Sequence, residues 1–415
     1  MSVVFFIFCF LNFYGPISTN ITLIFNLLLF IIISSLKKGT AYFPHVYILI
    51  PSIIFAISVI SFLLSRDTVQ DYSVFGTYLR ILCCCCCFPT ILRYFVQSNV
   101  PLLEIILVTL LCHCFAVLIQ MAIPSLQSYN DVFFRYNSSR DDIILENFQM
   151  RRLGLTGSFD AAAFYSVLAT TCSFILYLTW AKKLYLLSFA VAYTSSLFTS
   201  RMGMIVSSLM IVLSLFLNKK HTKGHKLTSL IVLIGTAFII IFFIIPIIGP
   251  SIGLDITLGN EIEAASDYSD RTGEVLLSSQ WLPLMYLNVR EFLFGYGCGV
   301  RETMTIPWGS DIGYVKQIFE VGIIGIILFL IFCCIIVKNS HRLKKIDKSF
   351  NVQYQIIIFS LFIYVIFNFK NYFIFGVCSF EFFLIISLIN YYSYKIIQKR
   401  SESIAYKKIW SSQGK

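Results

Sequence analysis

The feature that most constrains this chain is a series of long apolar runs, each closed by a charge or a turn residue. They fall at about 2–14, 17–36, 42–64, 73–96, 101–123, 159–180, 184–200, 202–217, 227–249, 311–337, 350–368 and 372–394. A helix that crosses a bilayer needs ~20 apolar residues. Hydrophobic residues make up 58% of the chain, enough for roughly 12 crossings. None of the runs alternates apolar and polar positions as a membrane strand does. The expected fold is an all-α polytopic membrane protein with about 12 transmembrane helices, a single integral membrane domain over residues 1–415. Only 13% of residues are charged, which excludes a soluble enzyme and a disordered chain. The first run lacks the basic segment and small-residue cleavage site of a signal peptide, so it reads as a short crossing that ends at Gly15-Pro16.

Net charge is +11. In a soluble protein that would suggest nucleic acid, but here it reflects the gathering of basic residues in cytoplasmic loops. No nucleic-acid partner is expected; the lipid bilayer is. With both termini in the cytoplasm, the inner ends hold Lys37, Lys38, Lys182, Lys183, a cluster from Lys219 to Lys226, a group from Lys338 to Lys348, and the tail at 395–415. The opposite face differs in kind. Apart from Lys316 and Lys370, its basic residues are arginines: Arg66, Arg80, Arg135, Arg140, Arg151, Arg152, Arg201, Arg271, Arg290 and Arg301. Arginine is favoured where phosphate or carboxylate is gripped through two parallel bonds. The alternative is that these arginines pair with acidic residues on the same face; as a set they point to an anion site.

Two exterior loops exceed a tight turn, at 124–158 and 250–310. Loops this long in a compact bundle are usually functional. Within the second, N-V-R-E-F-L-F-G-Y-G-C-G-V-R starts at Asn288. Gly295, Gly297 and Gly299 alternate there, flanked by Arg290 and Arg301. Glycine permits close backbone approach, and successive amides can cradle an anion; a plain turn is the simpler reading. W-G-S-D-I-G-Y-V-K-Q-I-F-E-V-G-I-I-G follows. Trp308 can anchor at the interface or stack on a sugar ring, and Tyr314 joins it as a candidate glycan contact. Asp311 opens the next helix, as a cap or as a general base. Glu320 lies deeper, where an acidic residue is costly and implies a partner or a role. Gly322 and Gly325 suit close helix packing.

Arg201 sits in T-S-R-M-G at a hairpin tip, where it either grips an anionic head group or snorkels at the interface. R-R-L-G-L-T-G-S-F-D runs from Arg151 and Arg152 into the next span, with Asp160 just inside it. Arg271 lies in the polar middle of the large loop. Within the spans, Arg80 and Glu381 can pair, and His113 reads as a packing group. The 13 cysteines, including the run Cys83 to Cys87, have no metal-ligand spacing and read as small apolar fillers. Only Cys298 falls in an exterior loop. None of the 5 histidines faces outward, which excludes an exterior Ser-His-Asp triad or His-rich zinc site. No metal site and no cofactor are expected.

These motifs, in this order, resemble the O-antigen polymerase family of the Wzy type, within the O-antigen ligase-like superfamily. The resemblance rests on R-R-L-G-L-T-G from Arg151, S-R-M-G from Ser200, Arg271, F-L-F-G-Y-G-C-G from Phe292 and S-D-I-G-Y-V-K-Q-I-F-E-V-G-I-I-G from Ser310. It implies a GT-C-like membrane glycosyltransferase in the bacterial inner membrane, with two larger periplasmic loops. It implies metal-independent joining of undecaprenyl-pyrophosphate-linked oligosaccharide repeats, and a polysaccharide co-polymerase as chain-length regulator. Arg201, Arg271, Arg290 and Arg301, then Arg151 and Arg152, are the pyrophosphate candidates. Asp311 and then Asp160 are the candidate bases. Two departures stand out. The paired R-x10-G motifs of some polymerases are absent, and Ser310-Asp311 replaces the histidine that ligases carry before Y-x5-E-x-G. An O-antigen ligase and a transporter of lipid-linked oligosaccharide remain the alternatives.

Overall fold

The computed structural model describes residues 2–11, 21–36, 45–65, 72–98, 100–129, 152–156, 158–217, 281–299, 310, 312–347, 350–369 and 379–395. Among the described residues there are helices and turns but no strand. In chain order the helices are α1 (Ser2–Leu11), α2 (Ile21–Leu36), α3 (His45–Leu63), α4 (Tyr72–Gln97) and α5 (Leu102–Ala122). Then come α6 (Phe159–Trp180), α7 (Lys183–Leu197), α8 (Arg201–Leu217), the short α9 (Val289–Phe294), α10 (Gly313–Ile346), α11 (Asn351–Asn368) and α12 (379–395). Six are long and apolar enough to cross a membrane: α3, Val74–Gln97 of α4, α5, α6, α10 and α11. The chain is therefore an all-α membrane protein. The predicted run 227–249, most of both exterior loops and most of the tail lie outside the described residues.

The centre of the bundle is α6, whose most apolar stretch is 94% buried. Its sequence explains that place. Ala162, Ala163, Ser166, Ala169, Thr170, Cys172 and Ser173 are small on every side, so neighbours approach closely. Its hydroxyls do not need water. Thr170 donates to the Ser166 carbonyl at 2.7 Å, Thr171 to Val167 at 2.8 Å and Ser173 to Ala169 at 2.7 Å. Ser166 also meets Ser195 of α7 at 2.9 Å. α5, α7, α8 and α11 pack around α6. Outward, α2, α3 and α10 present Leu28, Leu49, Ile60 and Leu330, each at least half exposed, as a lipid-facing surface requires.

Three buried charged groups among the described residues, Arg80, Glu320 and Glu381, have partners. Arg80 of α4 donates to Glu381 of α12, both buried, as the sequence suggested. Tyr78 donates to Glu320 of α10 at 2.9 Å. The cysteine run lies on α4 with Cys84, Cys85 and Cys87 buried and unbridged.

The structure corrects the sequence reading of α10 in two respects. The helix does not stop where hydropathy falls at Val337, because K-N-S-H-R-L-K-K contains no glycine or proline to end it. Lys344 and Lys345 in its last turn suit the negative end of the helix dipole. Nor is it continuous, for the backbone leaves helical geometry at Gly322, with φ 66° and ψ 179°.

Candidate functional site

The break in α10 is filled by the glycine run of the second loop. A five-residue 3-10 turn, Leu282–Tyr286, leads into α9. Asn288 caps α9 in a complete capping box: its side chain accepts from the Glu291 amide at 2.9 Å, and Glu291 accepts from the Asn288 amide at 3.0 Å. The N-x-x-E spacing carried that signal in the sequence. α9 ends at Gly295, and the chain then lies as a strap across α10.

Backbone chemistry explains the strap. A break at Gly322 leaves the preceding carbonyls without helical donors. Phe319 O instead accepts from the amides of Tyr296 at 2.7 Å and Gly297 at 3.0 Å. In an apolar setting each such group left unmet would cost several kcal/mol, on the order of the whole interaction. The glycines let the backbones meet. A Cβ on Gly295 would lie 2.7 Å from Glu320 O, and Cβ atoms on Gly297 and Gly322 would press still harder on Ser61 O and Leu293 O. Ser61 at the end of α3 donates its hydroxyl to Phe294 O, and Arg290 donates to Leu64 O at 3.0 Å. The strap is thus wedged between the end of α3 and the start of α10.

This arrangement revises three expectations. The Tyr296 and Gly297 amides, read as part of an anion cradle, are committed to Phe319. Gly322 does allow a close approach, to Leu293 of α9, but it does so at a break in α10 that the sequence reading did not foresee. Cys298 belongs to no exposed loop surface; it is buried with Tyr296, Ile312, Val315 and Phe319 in a small core of its own.

A segment of the first loop is fixed at the start of α6, mainly by side chains. Arg152 N donates to Phe198 O at 2.8 Å. Gln120 of α5 grips Gly154 twice, donating to its carbonyl at 2.9 Å and accepting from its amide at 2.7 Å. His113 of α5 accepts from the Leu155 amide through Nδ1 at 3.1 Å and faces Ala162 O through Nε2 at 3.1 Å. An amide can only donate and a carbonyl only accept, so the ring is the neutral Nε2–H tautomer. Thr156 and Ser158 close the turn, Ser158 accepting from the Ala161 amide at 3.2 Å as the cap of α6. Sequence reasoning passed over Gln120, an isolated amide in an apolar run; that isolation was its only signal.

The candidate residues divide accordingly. Arg290, with its side chain 44% exposed, stands on the outside of the strap. Gly299 continues the strap. Tyr314 donates to Val365 O at 3.1 Å and meets Phe369 edge-on, so it ties α10 to α11. Arg152 is buried, its Nε donating to Gln120 O at 2.9 Å, and burial lowers its pKa. It braces the loop from within, with its Nε committed to Gln120 O. Asp160 is half-buried in the first turn of α6. Arg201 is the first residue of α8. Arg151, Arg271, Arg301, Trp308 and Asp311 lie outside the described residues, while the N-cap of α10 is Ile312, with no side-chain capping bond.

The two segments share one end of the bundle. Gly203, near the start of α8, faces Ala163 of α6. Phe164 of α6 stacks against Tyr364 and Phe367 of α11, and Asn368 next to them exchanges amide bonds with Gln317 of α10 at 3.4 Å. The starts of α6, α8 and α10 therefore converge on the end of α11. Fold and site together define a helical membrane protein with a loop-built end. No protein-family model matches the sequence, and no curated protein matches it.

Proposed function

We propose that this chain is an O-antigen polymerase of the bacterial inner membrane, joining undecaprenyl-pyrophosphate-linked oligosaccharide repeats at the periplasmic face. One observation supports the reading above others. The four sequence motifs behind the resemblance, far apart in the chain, meet at one end of the bundle as two backbone-joined pairs. R-R-L-G-L-T-G pairs with the segment leading into S-R-M-G through Arg152 N and Phe198 O. F-L-F-G-Y-G-C-G pairs with I-G-Y-V-K-Q-I-F-E-V-G through Tyr296 N, Gly297 N and Phe319 O.

In this reading a hydroxyl of the new repeat attacks C1 of the growing glycan. The C1–O bond to the lipid pyrophosphate breaks, and a carboxylate, Asp311 or Asp160, takes the hydroxyl proton. The departing pyrophosphate needs charge neutralisation more than protonation. Fixed arginines at the membrane surface supply it without reorganising. Arg290 and Arg201 come first, with Arg271, Arg301 and Arg151 from the loops. The strap and its bonds to α3 and α10 give Arg290 a rigid support, which is what orientation-dependent transfer needs. No metal and no nucleotide sugar take part, and a co-polymerase sets chain length.

The test is direct. Purified protein is incubated with a lipid-pyrophosphate-linked repeat, EDTA and no nucleotide sugar, and products are resolved at single-repeat steps. A ladder supports the reading. Its absence from folded protein given the cognate repeat overturns it, and transfer to a lipid A core acceptor would assign a ligase instead.

A further inference from the structure

Away from the strap, α10 and α11 touch at two places and part between them. At one end Tyr314 binds Val365 O at 3.1 Å. At the other, His341 lies against the Tyr354 ring at 5.5 Å, and Lys344 Nζ sits 4.7 Å over the same ring. Between these contacts is a slot of about 810 Å³. Its floor is apolar and buried: Ile326, Phe329, Cys333 and Tyr364. Leu330 and Val365 form an exposed rim, so the slot opens sideways toward lipid. Its polar end carries Lys338 and His341, and the described lining residues include no carboxylate.

We infer that this slot is a binding site for an anionic phospholipid, one acyl chain lying in the slot and the phosphate resting against Lys338 and His341. Length and charge both select this occupant. From Ile326 to Val337 the lining rises roughly 17 Å at 1.5 Å per residue. One leaflet of hydrocarbon is about 15 Å, half of the bilayer core. An acyl chain of the leaflet nearest Lys338 therefore fills the apolar length and places its head group at Lys338 and His341. Basic pockets between membrane helices select anionic head groups in this way. A polyprenyl carrier entering with its pyrophosphate at the strap end would leave Lys338 and His341 unused. The Lys344–Tyr354 contact keeps that end of the slot closed, so the head group meets fixed groups.

The experiment reconstitutes the full chain in nanodiscs of equal parts phosphatidylcholine and phosphatidylglycerol. The protein is then moved to mild detergent, and retained lipid is counted by mass spectrometry. Wild type should keep phosphatidylglycerol about fivefold or more over phosphatidylcholine, the selectivity of one cation at a membrane surface. K338Q/H341Q, at two exposed positions, should retain both lipids equally. L361W, which fills the slot, should lose both. Circular dichroism confirms that each variant stays helical, and labelling of exposed Cys334 reports whether the slot is open. Equal retention by wild type, or undiminished selectivity in the double variant, overturns the proposal. A slot sealed by the chain's own 227–249 run, seen as unreactive Cys334 in lipid-free protein, overturns it as well.

Discussion

The strap over α10 and the loop at the start of α6 solve one problem by opposite means. Each pins an irregular segment to the bundle, where unmet backbone groups are costly. The strap does it backbone to backbone: Phe319 O takes two amides, and Gly295, Gly297 and Gly322 stand where a Cβ would strike the facing backbone. The loop does it mainly side chain to backbone, with His113 and Gln120 reaching from α5 to Leu155 and Gly154. A backbone crossing tolerates no added atom but does not depend on the identity of one polar side chain. A side-chain clamp fails when its donor or acceptor changes, although Gly154 at its centre, with φ 57°, has no more room for a Cβ than the strap glycines. The two ends of the candidate site should therefore break under different substitutions.

The largest effect is expected at the break. In G322A the residue must keep a φ of 66° that side chains rarely adopt, and its Cβ would meet Leu293 O. A loss of about 3 kcal/mol or more is expected. Gly76 in α4 is the contrast, with ordinary φ and nothing within 4 Å of its Cβ position. G76A should be neutral or stabilising by up to about 1 kcal/mol. Thermal midpoints in detergent decide the matter; equal midpoints for the two variants would remove the close-approach account of the strap.

Next comes the clamp. Q120A leaves the Gly154 amide and carbonyl without their side-chain partner and should cost about 2 kcal/mol. Q120E keeps the acceptor and loses the donor, so it should fall between Q120A and wild type. No comparable rescue series exists for the strap, because no side chain there can be exchanged for a kinder one. If Q120E were as damaging as Q120A, the Gly154 amide would not be the bond that matters.

A milder change tests how far the strap depends on the Ser61 hydroxyl. S61A removes the hydroxyl that Phe294 O accepts, while both bonds to Phe319 O remain. The expected loss is about 1 kcal/mol, well short of G322A. A loss as large as that of G322A would mean that Ser61, not the backbone crossing, holds the strap.

The difference between the regions also explains what could be read in advance. Continuous apolar runs announce helices by themselves, and an arginine and a glutamate in separate spans allow a pair, which Arg80 and Glu381 form. The N-x-x-E spacing of Asn288 and Glu291 carried a capping signal that the reading of this segment as a glycine turn passed over. The break at Gly322 leaves no such mark. V-G-I-I-G-I-I is as apolar and as compatible with a helix as the residues around it. Only the arrival of Leu293 and Phe294 from another part of the chain makes a kink favourable there. Gln120 and His113 are likewise ordinary within their run until Gly154 and Leu155 come to meet them. Local pattern shows local structure, whereas both fastenings are long-range. The sequence marks arginines as candidate ligand groups, but it does not show which of them are buried. Arg152 and Arg290 look equivalent in sequence, yet one is buried against Gln120 and the other stands half-exposed on the strap.

That last contrast yields the smallest expected change in stability and the sharpest statement about function. Arg290 holds Leu64 O from a solvent-facing position. Removing it leaves the capping box, the glycine crossing and both Phe319 bonds in place. R290A gives up the Leu64 bond and the ion pair with Glu291 at 3.5 Å, and should cost less than about 1 kcal/mol. If Arg290 neutralises a leaving pyrophosphate, the same variant should extend glycan about ten- to a hundredfold more slowly, with ladder spacing unchanged. R152A should do the reverse, losing stability through its buried brace, with any loss of rate following the loss of folded protein. Measuring rate per folded molecule for both separates ligand contact from scaffold. Normal rates per folded molecule in R290A and R201A together would move the anion site off this end of the strap. It would then rest with the arginines of the two long loops.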